Sequence, residues 1–179
     1  LGVHTVAAGG GSILHFDGER MHAGPASAGS LPGPASYRRG GPLTVTDANL
    51  LLGRLQADFF PAVFGPHADQ RLDETAVQHA FAQQASALNE VLNLDYSPEQ
   101  LAAGYLEIAV EHMADAIRHI TQARGVNPSD FTLVGFGGAG GQHACAVADR
   151  LGIPQVLISP FASVLDRKST RLNSSHATL

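Results

Sequence analysis

An apolar run, Phe131-Thr132-Leu133-Val134-Gly135-Phe136, passes directly into Gly137-Gly138-Ala139-Gly140-Gly141, and no other segment narrows the possible folds as much. A short apolar run bounded by turn residues reads as a buried strand. Beyond the glycines, Ala144, Val147, Ala148 and Leu151 share one face of a short helix over about 142–151. Gly152 caps that helix, Pro154 blocks its continuation, and 155–159 reads as a second strand. The product is a β–glycine loop–α–β unit, which places the chain in the α/β class. Glycines lack Cβ atoms, so their backbone can approach a ligand closely, and the helix N-terminus beyond them offers unpaired N–H groups and a partial positive charge. That arrangement suits a nucleotide or another anion. It is not a Walker loop, since no Gly-Lys-Ser/Thr follows, and it lacks the G-x-G-x-x-G spacing of dinucleotide sites. A tight strand-to-helix turn without a ligand satisfies the same pattern.

Upstream, the pattern changes twice. Short strands are expected over 3–8, 12–16 and 19–23, the last two flanking an Asp17-Gly18 hairpin turn. Gly9-Gly10-Gly11 reads as a bulge ahead of that hairpin, or as a second place of close ligand approach. Five glycines and four prolines between Gly24 and Pro42 predict a loop with no regular element. A strand over 43–45 is followed by a short helix capped by Thr46, with Asp47 in its first turn and Leu50, Leu51 and Leu52 inward. The 56–70 segment reads as a loop anchored to the core by Phe59, Phe60 and Phe64. Two long helices then follow. Val77, Phe81, Leu88 and Leu92 mark the first, over about 74–94. Ser97-Pro98-Glu99-Gln100 starts the second, whose stripe is Leu101, Tyr105, Ile108, Ala109, Ala116 and Ile120, with Gly125 at its end.

The chain of 179 residues has room for one domain with a core. A net charge of −5 without any Arg/Lys stripe excludes a nucleic-acid partner, and no apolar stretch approaches the ~20 residues of a membrane span. The single cysteine, Cys145, permits no internal disulfide and fits a reducing compartment. Leu1-Gly2-Val3-His4 carries no initiator Met and no signal-peptide pattern, so the chain is expected to begin within a longer protein. Residues 166–179, DRKSTRLNSSHATL, have no apolar period and hold the only lysine, Lys168. Their first eleven residues match the translation of a sequencing-library adapter. They are expected to be a non-native, disordered tail that packs against nothing.

Other chemistry-bearing residues have simpler roles beside functional ones. Cys145 lies near a helix N-terminus, which favours a thiolate, yet His143 is two residues away and does not share its face. The nine histidines form no metal box, and no residue is assigned to a metal. Glu111 and Asp115 read as a solvated face. Asp47 and Asn49 are either polar site residues or caps of the short helix.

Several segments, in order, resemble the hydantoinase A/5-oxoprolinase family: HTVAAGGGS at 4–12, GPASAGSLPGPASYRRGGPLTVTDANLLLGRL at 24–55, FGP at 64–66, TQARG at 121–125 and FGGAGGQHACAVADRLG at 136–152. Within it, GGQHAC at 140–145 is similar to the ATP-dependent 5-oxoprolinases, where relatives acting on hydantoins or ketones more often carry Gly-Pro-Leu-His. The resemblance implies an α/β partial domain similar to the sugar kinase/Hsp70/actin (ribonuclease H-like) ATPase fold. Residues 1–165 would be the C-terminal part of its nucleotide-binding domain. Gly137, Gly138, Ala139, Gly140 and Gly141 would form the adenosine-side turn for ATP. The Asp-x-Gly-Gly-Thr segments that hold phosphates and Mg²⁺ are expected upstream of Leu1. Ser36 stands where the family often has Cys, so no thiol acts there.

The implied reaction of the whole protein is opening of 5-oxo-L-proline to L-glutamate, a step of glutathione metabolism driven by ATP. Phosphorylation of the lactam oxygen would activate the inert amide toward water. Hydrolysis of N-methylhydantoin or carboxylation of a ketone are the alternatives, and the 179 residues alone are expected to be inactive. The resemblance further implies a cytoplasmic protein with a small cyclic amide as substrate. It would be homo-oligomeric or paired with a hydantoinase B-type subunit or domain. It names no catalytic residue in this segment.

Overall fold

The computed structural model describes residues 5–6, 9–162 and 177–178, with side chains described for 9–162. Most of the tail therefore lies outside the described residues, as do His4 and most of the strand expected over 3–8. Strand β1 (Thr5–Val6) pairs antiparallel with β6 (Ala177–Thr178) over two residues. The chain divides into two units, one of Gly10–Ile108 and one built from Leu1–Gly9 and Ala109–Leu179.

In the first unit, β2 (Ser12–Phe16) and β3 (Met21–Ser27) form the expected hairpin, with Leu14 opposite Ala23 and Phe16 opposite Met21. The Asp17 carboxylate shapes its loop by accepting the Arg20 and Glu19 backbone N–H groups at 2.7 and 2.8 Å. Those bonds, and His22 Nε2 at 2.6 Å, hold the carboxyl well below the usual carboxylate range. Strand β3 extends to Ser27, and a 3-10 turn forms at Ala35–Tyr37. The glycine- and proline-rich segment is thus partly regular, because pairing with β2 overrides local propensity. Gly10 and Gly11 are structural: the Gly10 carbonyl accepts Thr46 N and Oγ1, both at 2.9 Å, and the ladder is irregular between Ser12 and Leu14.

Helix α1 (Val45–Leu51) begins earlier than expected, with Thr44 rather than Thr46 at its cap. The reason is Asp47. Its fully buried carboxylate accepts Thr44 N at 2.8 Å, Thr44 Oγ1 at 3.0 Å, Ser36 N at 2.9 Å and Ala35 N at 3.0 Å. One side chain thereby caps α1 and the Ala35–Tyr37 turn together, satisfying orphan donors of both. Ser36 is also fully buried, and its Oγ has no partner among the described residues.

Helix α2 (Glu74–Leu92) follows, capped by Asp73, which accepts Ala76 N at 2.9 Å. It buries Val77, Phe81, Ala85 and Leu88 as its period requires, whereas Leu92 is exposed. The Ser97 and Gln100 side chains bond reciprocally to each other's backbone N–H at the start of α3 (Pro98–Ala123). Leu101, Ala102, Tyr105 and Leu106 complete this core, and burial raises the Tyr105 phenol above its ordinary range. Phe64 stacks on Tyr37 at 4.6 Å, but Phe59 is 83% exposed and Phe60 also faces solvent. Those two phenylalanines do not anchor the loop, because a segment of two short turns cannot turn every apolar side chain inward.

The second unit contains the expected β–α–β element. Strand β4 (Thr132–Gly135), helix α4 (Gly140–Leu151) and strand β5 (Gln155–Ile158) make a parallel pair with Gly135 opposite Ile158. Val110 and Ala114 of α3 pack with Val147, Ala148, Leu151 and Ile153. Glu111 and Asp115 are more than a solvated face: Arg118 reaches both at 2.6 Å, and Arg150 reaches Glu111 at 3.3 Å. Asp47→Ala is expected to lower the unfolding free energy by about 3 kcal/mol, since the buried Thr44 and Ser36 N–H groups lose an anionic acceptor while the half-buried Ala35 N–H keeps the Pro42 carbonyl. Ser36→Cys is expected to leave it unchanged or raise it, because a buried thiol loses little without a partner. Urea unfolding followed by circular dichroism measures both.

Candidate functional site: a glycine turn at the strand ends

The chain leaves β4 at Gly135 and enters α4 at Gly140, so only 136–139 reverse its direction. Gly140 and Gly141, expected in the loop, are the first residues of the helix instead. The Ala139 carbonyl accepts the Gln142 N–H at 3.1 Å and tightens that first turn. No residue of this segment supplies an acidic or basic group to the first turn of α4. Its electrostatics are those of a helix start, where unpaired N–H groups carry partial positive charge.

The five small residues do different things. Gly137 has φ +85°, a left-handed conformation that only glycine adopts cheaply. Its N–H donates to the Ala162 carbonyl at 2.8 Å. A Cβ on Gly135 would lie 3.5 Å from both Ala144 Cβ and Ile158 Cγ1, which is ordinary van der Waals contact. A Cβ on Gly141 would lie 3.7 Å from Ile158 Cδ1, an ordinary contact. Gly138 and Gly140 answer to neither demand: a Cβ at either meets nothing within 4 Å, and neither is left-handed. The strain that a side chain at Gly138 would have been expected to add therefore belongs to Gly137. With no packing reason for it, Gly140 leaves open backbone where a ligand can come close.

The turn after β5 forms a second wall, which the sequence pattern does not reveal. Ala162 N donates to Ser159 O at 2.9 Å, and Phe161 N donates to Ser159 Oγ at 3.1 Å. Through Ala162 and Gly137 this turn is fastened to the glycine turn, so both lie at the carboxyl ends of β4 and β5. Open α/β sheets bind ligands there. Serine and proline after an apolar strand were the only available signal of the turn.

The remaining candidates do not converge on this place. His143 is buried in α4 and Cys145 is exposed, so they form no nucleophile–base pair. Asp47 and Asn49 are buried in the other unit. Among the described residues no three His, Cys, Asp or Glu side chains are grouped to hold a metal ion. The residues of the turn fit a nucleotide in one respect, the open backbone at Gly138 and Gly140, and offer no carboxylate for Mg²⁺. Among the described residues no helix is long and apolar enough to cross a membrane.

The chain belongs to the hydantoinase/oxoprolinase family, whose model matches residues 1–170. It is 51% identical over 165 residues to the 5-oxoprolinase of Saccharomyces cerevisiae, an alignment covering 92% of this chain and 13% of the yeast protein. Its fold matches the crystal structure of the ATP-dependent caprolactamase from Pseudomonas jessenii with a TM-score of 0.72 and 39% identity, over 87% of this chain and 21% of that one. A nucleotide-free acetone carboxylase structure matches with a TM-score of 0.71 and 30% identity, over the same shares. The α/β ATPase-like fold expected from the sequence is thus the fold of the family. The 179 residues span a small part of the proteins they match.

Gly137→Ala is expected to cost about 1–3 kcal/mol through its left-handed φ. Gly138→Ala is expected to change stability by less than about 0.5 kcal/mol. Thermal unfolding of the two variants tests this division of roles.

Proposed function

We propose that the protein carrying this segment opens 5-oxo-L-proline to L-glutamate at the expense of ATP, and that Gly137, Gly138, Ala139, Gly140 and Gly141 form its contact with the adenosine side of the nucleotide. The observation that carries the site is the open space at Gly138 and Gly140, where glycine serves no local structural need. The family supports the chemistry: the yeast relative is a 5-oxoprolinase, and the structurally similar caprolactamase is ATP-dependent. ATP, when bound, supplies the phosphoryl group that activates an amide otherwise inert to water. The residues here bind and orient. Gly137 holds the turn, the helix start presents N–H groups to polar or anionic ligand atoms, and Gly138 and Gly140 permit close approach.

Higher identity to a 5-oxoprolinase than to the acetone carboxylase favours a lactam over a ketone. The same family supports an N-methylhydantoin hydrolase or ketone carboxylase subunit as the second reading. No metal role falls to these residues, and Mg²⁺ would be held by Asp-x-Gly-Gly-Thr segments elsewhere in the protein. The yeast protein is longer than the caprolactamase chain, judged by the shares this segment covers, which leaves room for a fused hydantoinase B-type part. A cytoplasmic location suits the exposed free thiol of Cys145.

In the full-length protein, ATP hydrolysis should depend on 5-oxoproline and not on hydantoins or acetone. A response confined to hydantoins would overturn the substrate. Positioning and charge stabilisation make up most of phosphoryl-transfer catalysis, so the 179 residues alone should show no such turnover. Gly138→Val should weaken ATP binding about 10-fold, equal to about 1.4 kcal/mol, while circular dichroism stays native. Calorimetric titration with ATP reads the change.

A further inference from the structure

We infer that Phe161 is the wall against which the base of the nucleotide stacks, a role that rests on the site reading above and adds to it the recognition of an aromatic heterocycle. Phe161 is 69% exposed. It follows Pro160 in a turn that two hydrogen bonds stiffen: Phe161 N to Ser159 Oγ at 3.1 Å and Ala162 N to Ser159 O at 2.9 Å. The next residue, Ala162, accepts the Gly137 N–H at 2.8 Å. The ring is therefore carried on backbone fastened to the glycine turn itself. Beside it, Ile158 is 43% exposed and contacts the Cβ positions of Gly135 and Gly141.

A bare glycine turn recognises no base. It admits any ligand whose edge is thin enough, and its N–H groups favour polar or anionic atoms. An exposed aromatic ring beside it supplies the missing apolar element, since a base stacked on such a ring is held through its π-face and leaves water on both surfaces. Cys145, also exposed on α4, is no substitute, having neither area nor planarity. The combination of open glycine backbone and an adjacent exposed ring fits a purine nucleotide better than a small anion such as phosphate.

The test uses the full-length protein as wild type and as three variants, Phe161→Ser, Phe161→Tyr and Gly138→Val. Each is titrated calorimetrically with ATP, and with inorganic tripolyphosphate as a ligand that has no base. Phe161→Ser is expected to weaken ATP about 10-fold and to leave tripolyphosphate unchanged, while Phe161→Tyr retains ATP affinity. If Phe161→Ser binds ATP as wild type does while Gly138→Val binds it weakly, the stacking wall is wrong and the glycine site stands. If both bind ATP normally, the site reading falls and the wall with it. If Phe161→Ser lowers the melting temperature and weakens ATP and tripolyphosphate alike, the ring packs against another part of the protein and the inference is overturned.

Discussion

A parallel pair of strands cannot be joined by a tight turn, so the chain between β4 and β5 must cross over through α4, and that crossing constrains everything near it. Only four residues, 136–139, separate strand from helix. So short a reversal uses a left-handed residue, which Gly137 supplies, and its N–H is tied to the Ala162 carbonyl beyond β5. Gly137 thereby holds the start of α4 at the carboxyl end of the sheet. Gly138 and Gly140 are left with no structural duty, and the proposed site rests on that surplus.

The other unit depends on a different economy. The segment rich in glycine and proline would have little to hold it, yet Asp47 draws three N–H groups and a hydroxyl onto one buried carboxylate. A residue type that suggests catalysis in a sequence is here an organiser of backbone. Its burial keeps it from any substrate, and the same holds for Ser36, whose position calls for a small side chain and no reactivity.

Exposure carries the functional information that burial withholds. Val134 and Leu157 are 51% and 58% exposed on a parallel pair whose class is ordinarily covered on both faces. That accords with a segment spanning 13% of its yeast relative. Phe161 is exposed on a turn whose next residue bonds to the glycine turn, rather than on a sheet face.

Local chemistry decided much by itself. The hairpin, both long helices, the Ser97 start of the second, and the strand–glycine–helix–strand order were legible because periodicity, Ser97-Pro98 and the glycine cluster act within a few residues. Tertiary structure decided what lies between distant residues: the junction of Asp47 with 35 and 36, the Arg118 and Arg150 network, and the exposed Phe59. It also separated the four glycines within 137–141 into one left-handed, one in ordinary contact range and two open. A sequence shows that Cβ atoms are absent, but what a Cβ would meet is a property of chain segments brought together only by folding.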